Sequence, residues 1–116
     1  MLINRAAIIL KAKQPAVDWI NSVEPDKRAG SITLEDVNLE SIIYLVPEDI
    51  ENIVYARAWV MNNAEILLEE FLDSWYQDDS LWPSSFSDEL FEQWFSIEYH
   101  SMIIDTTEDP IDKEAM

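Results

Sequence analysis

Ile53, Ala56, Val60, Ala64, Leu67, Phe71 and Trp75 recur at steps of 3, 4, 4, 3, 4 and 4. That spacing puts all of them on one side of an α-helix. The stripe spans more than twenty residues, so the segment has to be helical and has to bury one side. Asn62-Asn63 interrupts it, and Asn62 with Glu65 has the spacing of a capping box. Two helices, about 48–61 and 63–76, are predicted in preference to a single rod. Pro47-Glu48-Asp49 supplies the first start, since proline tolerates the first helical turn and acids suit the positive end of the helix dipole.

Three short apolar runs offer the surface for these helices to pack on. Ala6–Leu10, within 2–12, is β-branched at its centre and bounded by charge, as expected of a strand buried on both faces. Ile42–Val46 is β-prone and stopped by Pro47. Ile97–Asp105 starts in alternation, with Ile97, Tyr99 and Ser101 on one face and Glu98, His100 and Met102 on the other. Shorter helices are predicted at 15–23 behind Pro15, at 34–38 behind the box Thr33/Asp36, and at 86–95 behind Ser85/Asp88. Glu24–Ser31 is the clearest loop. The fold class is therefore α+β, a small three-stranded sheet with about four to five helices packed on it. One domain covers 1–105, and 106–116 is a polar, flexible tail. Strand order stays open.

Composition removes most familiar chemistry. One glycine, Gly30, forbids the glycine-rich dinucleotide turn, the phosphate-binding loop and the nucleophile elbow. The absence of cysteine forbids thiolate catalysis, disulfides and cysteine-held metals, and one histidine cannot supply a two-histidine site. No cofactor is expected. Ala6–Leu10 is too short for the apolar core of a signal peptide, and no window matches a membrane span. The expected location is cytoplasmic, which the lack of cysteine also fits.

What remains is charge. The 116 residues carry 24 acids against 7 Lys and Arg, a net of −17. Residues 1–28 hold +2 and residues 29–116 hold −19. Such a field repels nucleic acid and anionic membrane and attracts basic partners.

Four groups of residues qualify as candidate sites. Glu65, Glu69 and Asp73 share a helix face at i, i+4, i+8; without a histidine on that helix a metal is not expected, and the face reads as solvated or partner-binding. Asp78-Asp79-Ser80 reads as an Asx turn, lacking the glycine and regular oxygens of a calcium loop. His100 and Glu98 share a strand face and are the weak catalytic candidates, although the adjacent Ser101 points the other way. Among five tryptophans, Trp82 in its loop before Pro83 reads as the exposed one, an anchor for an arginine-rich partner beside Asp78 and Asp79. Arg5, Lys11 and Lys13, flanking the first strand, either pair with the chain's own acids, the simpler reading, or favour head-to-tail self-association.

Several short pieces also stand in a familiar order: Asn4-Arg5-Ala6-Ala7, Lys13-Gln14-Pro15 with Asp18-Trp19-Ile20, Tyr44-Leu45-Val46-Pro47-Glu48, Leu81-Trp82-Pro83 and His100-Ser101-Met102. Across about 2–105 the chain resembles a family of small acidic bacterial proteins with no assigned activity. The resemblance implies a bacterial cytosolic protein and one domain from first strand to third, and it carries over no catalytic residue.

The function expected from the residues is a non-enzymatic interaction or regulatory protein binding a basic partner. The alternative is an enzyme or small-ligand-binding domain with a cleft near His100, Glu98 and Trp82.

Overall fold

A computed structural model describes residues 1–24, 30–39 and 41–114. It has the elements β1 (Arg5–Ala12), α1 (Gln14–Val23), α2 (Leu34–Asn38), β2 (Ile43–Pro47), α3 (Ile53–Asn62), α4 (Ala64–Trp75), α5 (Asp88–Trp94) and β3 (Phe95–His100). A 3-10 turn, Asp79–Leu81, precedes α5. The strand order is β2-β1-β3, antiparallel on both sides. This is the α+β arrangement expected, with β1 central.

The sheet has two unlike faces. Ala6, Ile8, Leu10 and Ala12 of β1 stand in register with Tyr44 and Val46 on one side and with Phe95, Ile97 and Tyr99 on the other. The helices cover this face. Its centre is fully buried at Ile8 and Val46, packed with Val17, Ile20, Val60, Leu68, Leu72 and Phe91. The opposite face carries Ala7, Ile9 and Lys11, with Ile43 and Leu45 beside them and Ser96, Glu98 and His100 on the far strand. Ile43 is 59% exposed and Leu45 50%, so β2 turns apolar side chains to solvent where alternation would place polar ones. β1 is thus apolar on both faces, yet among the described residues helices roof only one of them.

The stripe behaves as its spacing requires: Ala56, Val60 and Leu67 are buried, and Phe71 and Trp75 pack against them. Ile53 at its start is exposed. The first helix begins later than predicted. Pro47 stays in β2 opposite Arg5, and its carbonyl accepts from Ile50 N at 3.0 Å to form a turn. Asn52 is the cap, its side chain accepting from Tyr55 N. The two helices part at Asn63 rather than Asn62. The Asn63 side chain donates back to Trp59 O (2.8 Å), closing α3 instead of capping α4.

Thr33 and Asp36 form the predicted box, which holds the Asp36 carboxyl below its ordinary range through the Thr33 backbone and hydroxyl donors. Ser87, not Ser85, caps α5, accepting from Leu90 N. β3 follows α5 directly and ends at His100; beyond it the pairing resumes only as an isolated Leu2–Ile104 bridge, with one extra residue on the N-terminal side. A bulge of that kind bends a strand. The loop predicted over Glu24–Ser31 lies, at 25–29, outside the described residues.

Two asparagines take the place of strand pairing. Asn38 accepts from Ala12 N (2.9 Å) and donates to Ala12 O (3.1 Å). Asn21 does the same with Ile32 N and O, both at 2.9 Å. Each side-chain amide imitates a peptide group and ties α2, or the segment before it, to the core.

Candidate functional site

The sequence candidates fall into three separate places. Glu65, Glu69 and Asp73 stand exposed along α4. None forms an ion pair or hydrogen bond among the described residues. Glu70 is exposed one residue on from Glu69 and accepts from Tyr44 OH at 3.1 Å. Burial and the adjacent Glu70 charge push the Tyr44 phenol far above its ordinary value.

Asp78 accepts from Ser80 N (3.0 Å) and Ser80 Oγ (2.7 Å), an Asx turn. The two Ser80 bonds, hydroxyl first, lower its carboxyl. Asp79 opens the 3-10 turn and is exposed. Trp82 is half-buried instead of exposed. Its indole N–H donates to Tyr76 O at 2.8 Å, and its ring packs on the core. Trp19 fixes the same loop from the other side, donating to Leu81 O at 3.2 Å. An indole that finds a backbone acceptor is cheaper to bury, which is why the loop folds inward.

Glu98 and His100 lie on the unroofed face of β3, 3.6 Å apart and about half exposed. Trp82 packs on the helical side of the sheet, so the structure does not bring it together with His100 and Glu98. Among the described residues, Arg5, Lys11 and Lys13 do not pair with acidic side chains: Arg5 donates to Asn4 O, Lys11 to Ser41 Oγ and Lys13 to Glu92 O. Among the described residues Arg57 and Glu92 form an ion pair at 3.7 Å, while the Glu98–His100 contact is ionic only when the imidazole carries a second proton. No group of three or more His, Cys, Asp or Glu among the described residues is placed to hold a metal ion. No described helix is long and apolar enough to cross a membrane.

A feature missed in the sequence is a cleft of about 460 Å³ between α2, the start of β2 and α4. Its floor is Leu10, Ala12 and Phe95 from the helical face of the sheet. Val37 and Leu39 form one wall, and Leu67, Phe71 and Trp75 the other. Asp36, Ser41, Ser74 and Tyr44 bring polar groups to it. The Tyr44–Glu70 bond therefore joins the cleft to the acidic side of α4. Comparison with known protein families, curated proteins and solved structures found no match for this chain.

Tyr44 yields an alkaline signature. Its folded pKa is raised, so its contribution to stability is complete below the unfolded value of about 10 and is lost as pH rises beyond it. Tyr76, raised by burial and by Glu24, acts in the same direction. In urea titrations between about pH 9 and 11, wild type should lose stability more steeply than Tyr44→Phe. Parallel curves for the two would mean that Tyr44 is not buried against Glu70.

Proposed function

We propose that this chain is a non-enzymatic interaction protein whose acidic helical surface engages a basic protein partner. The observation that carries the reading is the exposed, unpaired row Glu65, Glu69 and Asp73 on α4, with Glu70 beside it. Like charges at i, i+4 destabilise a helix by roughly 0.2–0.5 kcal/mol per pair, and a partner's lysines or arginines relieve this. Asp78 and Asp79 add exposed carboxylates in the loop that follows α4. The reading that places an enzyme or ligand site at His100, Glu98 and Trp82 loses support, because these residues do not share a cleft.

The test compares wild type with Glu65→Gln/Glu69→Gln/Asp73→Asn as baits in bacterial lysate at about 0.02 M and 0.15 M salt. The expected result is one stoichiometric basic protein held by wild type at both salts and lost by the triple variant, whose thermal midpoint is not lowered. Equal capture by both baits would remove the α4 row from the site. Capture at low salt alone would reduce the acidity to ion exchange.

A further inference from the structure

We infer that the cleft between α2 and α4 anchors one large apolar side chain of a basic segment, with that segment's lysines or arginines lying over the acidic side of α4. This deepens the reading above and rests on it. A packed protein interior leaves few voids larger than a water molecule, whereas this opening, about 460 Å³, falls in the range of preformed ligand sites. Its interior is apolar and aromatic, from Leu10, Phe71, Trp75 and Phe95. Its lips are apolar too: Leu39 is 73% exposed and Ile42 52%. Exposed apolar residues gathered around a concavity mark a place where something apolar is received.

Charge selects the occupant. The described lining holds Asp36 and no lysine or arginine, and Tyr44 links it to Glu70. Asp73 and Glu69 continue the acidic surface along α4. Lys11 reaches the opposite lip at Ser41 (3.4 Å), whereas every charged residue of α4 is an acid. A second copy of a chain of net charge −17 is repelled from that side. The chain's own C-terminal segment is repelled as well, since it carries Glu108, Asp109, Asp112 and Glu114 against Lys113. A neutral small molecule would fill the floor and leave the acids unmatched. An apolar anchor flanked by basic residues satisfies both halves, with anchor and charge working as they do in protein interfaces.

The experiment is selection of a random 12-residue display library on the full chain at about 0.15 M salt, followed by titration of the enriched peptides. The expected peptides combine a large apolar residue with flanking Lys or Arg. Ser74→Phe, which fills the cleft from its rim, should weaken them by about tenfold or more and keep their salt dependence. Glu69→Gln/Glu70→Gln should weaken them by roughly threefold to tenfold and flatten that dependence. If Ser74→Phe lowers the thermal midpoint, Leu39→Ser at the exposed lip provides the same readout. Basic peptides without an apolar residue, or peptides indifferent to Ser74→Phe and Leu39→Ser, would overturn the cleft and leave the acidic surface standing. Peptides that bind in the cleft but ignore the acid substitutions would overturn both. Failure to enrich any peptide overturns the proposal.

Discussion

Phe91→Ala is expected to remove about 3–5 kcal/mol of folding stability, the cost of truncating a fully buried aromatic and leaving a cavity. Phe91 is 2% exposed and lies with its ring centroid 5.0 Å from that of Phe95. It sits on α5, a seven-residue helix that has little stability of its own. Phe95 opens β3 directly after that helix and pairs with Ala12. One cavity therefore loosens both the short helix and the start of an edge strand. A domain of this size holds about 5–15 kcal/mol in all, so the variant should stand near the margin of folding. Urea titration at neutral pH measures the loss. A change below about 1 kcal/mol would mean that α5 does not pack on this core through Phe91.

Asn38→Ala should cost about 2 kcal/mol, although it removes only a side-chain amide. β2 pairs with β1 only from Arg5 to Ile9. Beyond that point Ala12 still has a peptide N–H and C=O facing away from β3, and Asn38 satisfies both. Alanine would leave two peptide groups without partners at a residue 6% exposed. Such groups cost about 1–3 kcal/mol each, less whatever water recovers. Asn38→Asp should do no better, because a carboxylate can accept from Ala12 N but cannot donate to Ala12 O. Amide exchange at Ala12 should speed up together with the loss in urea midpoint. Unchanged exchange in both variants would rule out the clamp.

The parts of the fold legible in the sequence are those written within one turn or one strand. The Ile53–Trp75 stripe, the Ile42–Val46 run and the Thr33/Asp36 box each need only residues a few positions apart. At the start of α3 two local signals compete. Pro47-Glu48-Asp49 resembles a helix opening, but Pro47 is held in β2 by its register with Arg5, and Asn52 caps instead. The clamps on Ala12 and Ile32 span 26 and 11 positions and leave no periodic trace. Of the candidate site, the acidic row on α4 was visible in its spacing. Glu70 was not, since what distinguishes it is Tyr44, 26 positions away. The cleft leaves no trace for the same reason: its walls come from α2 and α4, which β2 and α3 separate in the sequence.

The unroofed face of the sheet gives the chain's acidity a second consequence. Ile43, Leu45 and Ile9 form an apolar surface beside the unpaired edge of β2, the sort of template on which copies of a chain stack. At neutral pH a charge of −17 keeps two such surfaces apart. Near the isoelectric point, pH ≈ 4.1, that barrier vanishes. Protonating the carboxylates thus removes what keeps the surfaces apart, and salt that screens their charge acts in the same direction.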